Sequence, residues 1–403
     1  VTEGNPKRQN IGKRGWGILG RNIRMKTAIG AVALCSVLGL TSIANTVPQK
    51  AEASWNHAEN EDKKENKVLL TFSTVGDSRA DVTQPGLTAQ DKIWLQNTKA
   101  FTRITREVQD QKANLFIFNG DMIMGYSPNS DTNLLNREYA YWRGLVANMF
   151  ETGTYVVPVP GNHEVQDKYK DTNGKTIKKA TQANEDTWRN NMGDIIMDTE
   201  RFNQIEGTAI QNWNPNNSPQ LGTDHISTDQ KQLSYSFDLK GSHFSIINTD
   251  PVGNDSHAPI EWLKMDIANA KKNGAKHIFV FGHKDAFPYV ADPANPPSAD
   301  GLDADPKSRD EFWQVIEDNH ATYFCGHEHV FNVSQPHGNA YQVLVGSGGS
   351  PFEVNAPVKN PTDRMYSWAT VKVYENGDVR VNCYGFDENY GKTQLIKSFD
   401  LGK

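Results

Sequence analysis

Five glycines spaced along the chain are each followed by a residue able to hold a metal: Asp77, Asp121, Asn162, His283 and His327, with His329 two positions further on. Each pair closes an apolar run, and glycine leaves the backbone open to a ligand at that point. The set offers two carboxylates, three imidazoles and one amide oxygen, too many ligands for one tetrahedral ion. Mixed oxygen and nitrogen donors suit two divalent ions such as Mn²⁺, Fe, Zn²⁺ or Co²⁺. A single ending of this kind is ordinary loop chemistry, and Gly161-Asn162-His163-Glu164 alone reads as a plain turn before it reads as a site. Five endings that carry only Asp, Asn and His point to a site. Cys325 stands two residues before His327, but alternation along a strand turns it away into the core.

The elements that must position these residues are strands joined by helices. Apolar runs at 68–75, 115–118, 155–159, 278–281 and 322–325 read as buried strands, each ending at one of the glycines. Thr88 begins a helix with Asp91 as its capping-box partner, and Trp94, Phe101, Ile104 and Val108 line its apolar face. A second helix covers about 134–150, and a third about 259–272 with Gly274 as its stop. Ser308 and Glu311 form a capping box for a fourth, through about Asp318. Residues 233–239 and 243–248 pair about Gly241. A strand at 341–345 ends in Gly346-Ser347-Gly348-Gly349. The hairpin 369–374 and 379–384 turns at Asn376-Gly377, and a last strand lies near 395–401. In sheets with αβ connections, residues just past the strand ends gather on one edge. Residues 165–230 are rich in Asn, Asp, Gln, Lys and Thr. They read as an insertion with one or two short helices, placed near the mouth of the site or on an uninvolved surface.

Gly76-Asp77, Gly120-Asp121, Gly161-Asn162-His163-Glu164, Gly282-His283 and Gly326-His327-Glu328-His329 resemble the five ordered motifs of calcineurin-like metallophosphoesterases, among them purple acid phosphatases and protein Ser/Thr phosphatases. The resemblance runs from about Val68 to the C-terminus. It implies an α/β (α+β) fold, a four-layer sandwich of two mixed β-sheets flanked by helices, with a dinuclear metal centre at the strand ends. By motif, Asp121 would bridge both ions, Asp77 and His329 would hold the first, and Asn162, His283 and His327 the second. His163 would touch the phosphoryl group or protonate the leaving oxygen. Glu164 would support the turn. Two positions depart from the pattern. Many relatives have His where this chain has Arg79, and purple acid phosphatases have Tyr where it has Met124. A guanidinium does not ligate metal, because it stays protonated. Arg79 reads as a bidentate clamp on phosphate oxygens, with a structural ion pair as the other reading.

Residues 1–53 fall outside this domain. Arg21, Arg24 and Lys26 precede an apolar run, 28–44, and Ala51-Glu52-Ala53 has the small-x-small form of a cleavage site. This is the layout of a secretory signal peptide behind an N-terminal extension, with cleavage expected after Ala53; a membrane anchor is the other reading. A polar leader, 54–66, connects it to one metallophosphoesterase domain, 67–403. Without residues 1–53 the net charge moves from −6 to about −12. Such a chain is a poor binder of nucleic acid duplexes. Cys325 and Cys383 are the two cysteines left, either paired or buried as free thiols.

The resemblance therefore implies a secreted hydrolase of phosphoric esters. Two ions would share a water and lower its pKa towards about 7 for in-line attack on phosphorus. A phosphomonoesterase acting on a small phosphate ester or a phosphoprotein leads, and a phosphodiesterase is the alternative. An inactive phosphoryl-ligand binding protein is the alternative from another class, followed by a wall-associated structural module. His257 and Lys284 lie near motifs, while His277, His320, His225, His337 and His57 read as structural.

Overall fold

The computed structural model describes residues 66–126 and 131–402, which belong to the unit Lys64–Lys403. The expected signal peptide and the leader up to residue 65 lie outside the described residues. In chain order the elements are β1 (Val68–Val75), α1 (Ala89–Trp94), α2 (Thr98–Asp110), β2 (Leu115–Asn119), α3 (Thr132–Glu151), β3 (Tyr155–Val159), α4 (Asn162–Val165), β4 (Gln166–Lys170), β5 (Thr176–Ala180), α5 (Gln182–Met192) and α6 (Thr199–Glu206). There follow β6 (Tyr235–Leu239), β7 (Ser242–Ile246), α7 (Ile260–Lys272), β8 (His277–Phe281), α8 (Pro306–Asp318), β9 (Thr322–Cys325), β10 (Phe331–Ser334), β11 (Gln342–Val345), β12 (Met365–Tyr374), β13 (Val379–Asp387) and β14 (Gln394–Leu401).

Two six-stranded mixed sheets result, in the orders β14-β13-β12-β1-β2-β3 and β10-β11-β9-β8-β7-β6. The sheets meet face to face through aromatic rings. Phe72 of β1 packs edge-on against Phe244, Phe279, Phe281 and Phe324 of the other sheet, at centroid separations of 5.3, 4.9, 5.9 and 5.9 Å. Burying each ring contributes on the order of 1.5–3 kcal/mol before the edge-to-face term. The other face of the first sheet receives helices: Phe118 lies 5.4 Å from Phe101 of α2 and 5.2 Å from Trp142 of α3. Trp262 and Leu263 of α7 and Phe312 and Trp313 of α8 pack with Val280, Tyr323 and Leu344 of the second sheet. The four layers are therefore helices, sheet, sheet, helices.

β1, β2 and β3 run parallel, and so do β7, β8 and β9, which puts their carboxyl ends together within each sheet. Backbone bonds then join the two sheets at those ends. Gly76 N–H donates to Val345 C=O at 2.9 Å, and Gly348 N–H to Gly76 C=O at 2.9 Å. The Gly346–Gly349 segment thus holds the sheets together beneath the strand ends.

Four expectations change. The helix begun by Thr88 does not continue through Phe101. Leu95 takes a left-handed conformation (φ 53°), and Asn97 caps a new helix by accepting from Ala100 N–H. The break lets the chain lie beside the end of β1: Ala80 N–H donates to Leu95 C=O at 2.7 Å and Asn97 N–H to Ser78 C=O at 3.3 Å. Helix α8 starts at Pro306, not in a Ser308 box, because Asp305 accepts from Lys307 and Ser308 N–H. Proline at the first helical position loses no helical bond there. The 165–230 insertion contains the hairpin β4–β5 as well as helices α5 and α6. Strand β10, paired antiparallel with β11, was not expected. Cys325 and Cys383 are free and buried, so the pairing alternative is excluded.

Candidate metal centre

The strand ends carry the site on strained backbone. Asp77, Asp121 and His327 all have left-handed φ values, 63°, 55° and 76°. Non-glycine residues rarely adopt this region, and each such residue costs of order 1 kcal/mol that surrounding bonds must offset. Those bonds are present. Asp77 N–H donates to Gly120 C=O at 3.0 Å, and His327 N–H donates to the Asp77 carboxylate at 3.0 Å. Two glycines make room: a Cβ on Gly161 would lie 2.4 Å from Asp121 N, and one on Gly326 would lie 2.3 Å from Asp77 Oδ2.

Five donors converge. His283 Nε2 lies 3.1 Å from Asp121 Oδ1 and 3.3 Å from His327 Nδ1, and His327 Nδ1 lies 3.0 Å from Asn162 Oδ1. Asp77, Asp121 and His283 offer ligand atoms all within 4.8 Å of one another. Asp77 Oδ1 is buried without a hydrogen-bond partner, the state of a carboxylate oxygen shaped for a cation. The residues thus fit a divalent ion. His283 Nδ1–H donates to Asn119 C=O at 2.7 Å, which points Nε2 inward. His329 is oriented in the same way by Pro351 C=O at 2.7 Å, and its Nε2 stands 3.6 Å from Asp77 Oδ1.

Arg79 enters this cluster. Its Nε donates to Asp121 Oδ2 at 3.2 Å and its Nη2 to His329 Nε2 at 3.1 Å. The side chain is 14% exposed, so the guanidinium lies within the wall of the site. His163 Nε2 is 3.5 Å from the same Asp121 Oδ2. His163 Nδ1 bonds to Met124 C=O. A carbonyl only accepts, so Nδ1 carries the proton, and neutral His163 presents a lone pair at Nε2. That geometry suits contact with a protonated phosphoryl oxygen or a water more than donation to a leaving group.

The charges follow the packing. Burial would raise Asp121, but His163, His283 and Arg79 hold it well below the usual carboxylate range. Burial lifts Asp77 well above that range. Burial would depress His283, yet Asp121 and Asp77 carry it to about 10. Burial and then the Arg79 charge push His329 down to about 3, so its ring is neutral and its Nε2 accepts.

Behind the donors stands Glu164, fully buried. Its carboxylate accepts from Gly161 N–H at 2.7 Å, Asp121 N–H at 2.9 Å and Ile123 N–H at 3.1 Å, tying the second strand end to the third. Tyr126, out of register with the tyrosine of purple acid phosphatases, has a supporting place that the sequence does not assign. Its hydroxyl accepts from Asn162 Nδ2, fixing the amide with Oδ1 toward His327, and its ring lies tilted against His163, with centroids 3.7 Å apart. Only its nearness to Asp121 in sequence could have signalled it.

Asp121, Asn162 and His327, with Arg79 and His163, line a cavity of about 720 Å³, and Asp77, His283 and His329 lie behind that lining. The 165–230 insertion reaches its rim: Lys168 and Lys178 of the hairpin lie 5.1 and 5.4 Å from the Tyr126 ring centre. Asp300, from the 286–307 loop, meets His327 Nε2 at 3.3 Å and Lys178 at 3.6 Å. Tyr289, Glu353 and Asp363 line the far side. His257 pairs with Asp305 at 3.3 Å, and buried Lys284 with Asp250 at 2.8 Å. Neither lines the cavity.

Comparison with known proteins adds the following. The calcineurin-like phosphoesterase family matches residues 80–331. Among solved structures, a purple acid phosphatase from yellow lupin (Lupinus luteus) seeds is 12% identical with a TM-score of 0.51, over 83% of this chain. The chain spans about half of the lupin protein, 54% of its length. A dimetal phosphatase from Danio rerio is 12% identical (TM-score 0.43; 83% of this chain, 99% of that one). GAP50, the anchor in the inner membrane complex of Plasmodium, is 14% identical (TM-score 0.46; 83% and 89%). No curated protein matches. The lupin likeness speaks for the fold.

Proposed function

The chain belongs to the calcineurin-like phosphoesterase family and is a metal-dependent phosphoester hydrolase; from that premise we propose that it cleaves phosphate monoesters in the cavity above Asp121. One observation carries the reading: five donors from both sheets converge at the strand ends, and three of them, Asp121, Asn162 and His327, line the cavity together with Arg79 and His163. The family uses two divalent ions, and the candidate holders here are Asp77, Asp121, Asn162, His283, His327 and His329. A bound ion would supply Lewis-acid polarisation of a phosphoryl oxygen and a water of lowered pKa.

The chain's own residues do the remainder. Lys168 and Lys178 at the rim draw in an anionic ester. Arg79 leaves Nη1 without a hydrogen-bond partner among the described residues, available to an equatorial phosphoryl oxygen. His163 Nε2 accepts a hydrogen bond at the same group. The cavity is large enough for a substrate bigger than phosphate, such as a small ester or a phosphorylated side chain. Secretion after removal of residues 1–53 is part of the proposal, supported by the basic, apolar and small-residue pattern before Ser54.

The test compares an aryl phosphate monoester with the matching diester, in the presence of Mn²⁺ and after chelation. Monoester turnover that chelation abolishes and Mn²⁺ or Co²⁺ restores is expected. Preference for the diester would give the alternative, a phosphodiesterase. Phosphate binding without turnover of either would give an inactive binding protein, and turnover that survives complete metal removal would end the reading.

A further inference from the structure

We infer that the guanidinium of Arg79 stands in for the first metal ion, so that the centre takes one divalent ion per chain. The inference rests on the phosphoesterase reading of the site. Two groups of donors surround Asp121. On its Oδ1 side, His283 Nε2, His327 Nδ1 and Asn162 Oδ1 are linked by separations of 3.1, 3.3 and 3.0 Å, and no Lys or Arg bonds to any of them among the described residues. On its Oδ2 side, the two lone pairs that a first ion would take already have a partner. Arg79 Nε bonds Asp121 Oδ2 at 3.2 Å, and Arg79 Nη2 bonds His329 Nε2 at 3.1 Å.

The arrangement is built for this. His329 donates from Nδ1 to Pro351 C=O, which leaves Nε2 as the acceptor that either an ion or a guanidinium requires. Arg79 is anchored along its backbone: its N–H donates to Asp121 C=O at 3.4 Å, its C=O accepts from Ser350 Oγ at 2.9 Å, and it pairs in a β-bridge with Gln96. The break between α1 and α2 supplies that partner. A guanidinium is a permanent cation whose planar donors match a carboxylate and an imidazole lone pair. A second ion would have to displace it from both partners and then sit beside its charge. Among the described residues, the one cluster of three acidic or histidine ligands close enough for an ion is Asp77, Asp121 and His283, and His329 is outside it. Arg79 thus supplies fixed positive charge that chelators cannot remove.

The experiment is a titration of the metal-free full chain with Mn²⁺ alone, read by bound metal per chain and by electron paramagnetic resonance. One Mn²⁺ per chain and the six-line signal of an isolated ion are expected at saturation. Arg79→His, which replaces the cation with a ligand, is expected to raise uptake to two and to give an exchange-coupled spectrum. Arg79→Lys is expected to stay at one. Two ions per wild-type chain with a coupled spectrum would overturn the inference and leave the phosphoesterase reading standing. No bound ion in the wild type would overturn both. Circular dichroism checks that each variant folds. If Arg79→His does not fold, the wild-type stoichiometry decides alone; a folded Arg79→His that still binds one ion refutes the substitution.

Discussion

The carboxylate of Glu164 holds Asp121 by its backbone, accepting from Asp121 N–H at 2.9 Å while also receiving the N–H groups of Gly161 and Ile123. A left-handed Asp121 is therefore kept in place by a residue that is not among the gathered donor atoms. Glu164→Ala leaves three buried N–H groups without this acceptor. The expected result is a loss of stability of about 2–4 kcal/mol, at about 1–3 kcal/mol per unsatisfied group with partial relaxation. Mn²⁺ affinity is expected to fall about 10–100-fold. Urea denaturation and metal titration read the two effects; unchanged metal affinity in a folded variant would mean Asp121 does not need this support.

Tyr126→Phe removes the hydroxyl that accepts from Asn162 Nδ2 and leaves the ring against His163. The amide of Asn162 is then free to rotate. A fall of roughly tenfold in Mn²⁺ affinity is expected, with little change in melting temperature, because the ring packing stays. Equal affinities for the two proteins would remove Tyr126 from the site's support.

His243 gives a pH signature far from the strand ends. It is buried between Asp238, at 2.5 Å from Nδ1, and Asp266, at 2.9 Å from Nε2. Burial alone would depress it, but these two carboxylates raise it to about 9. A folded value above the unfolded value of about 6.5 makes the contribution full below pH 6.5 and lost as pH rises through about 9. The contribution is on the order of 3 kcal/mol. Unfolding free energy measured across this window is expected to decline, and His243→Gln to be less stable at pH 6 with a flatter profile. A wild-type profile without that decline would contradict the assignment.

Phe72→Ala tests the join between the sheets. The ring touches four others from the opposite sheet, so its removal opens a cavity at the centre of the sandwich. A loss of about 3–5 kcal/mol is expected in denaturation experiments. A loss below about 1 kcal/mol would mean that the sheets close over the gap.

The sequence made the strand ends legible because each repeats one local pattern: an apolar run, a glycine, then a ligand. Parallel strands joined by helices bring such endings together without any long-range signal. The break at Leu95 was not legible. Trp94, Phe101, Ile104 and Val108 keep a helical period across it, and the bonds that favour the break come from Ser78 and Ala80. The hairpin β4–β5 was hidden because its residues, from Gln166 to Ala180, are mostly polar and exposed, so no alternation of burial marks them. Arg79 was visible as an anomaly, but its partners His329 and Asp121 lie 250 and 42 residues away. The Asp305-Pro306 start of α8 was legible by rule and was outcompeted by the Ser308–Glu311 pattern.

The left-handed backbone at Asp77, Asp121 and His327 also restricts how this lineage can change. At those positions the admissible alphabet is set twice, by chemistry and by φ. Asp, Asn, His and Gly tolerate that conformation; β-branched residues do not. An Asp121→Asn exchange therefore removes the negative charge at the heart of the centre while satisfying the backbone. The backbone thus admits the exchange that would disarm the centre, and what opposes it is the charge of Arg79 and His283 that Asp121 now balances.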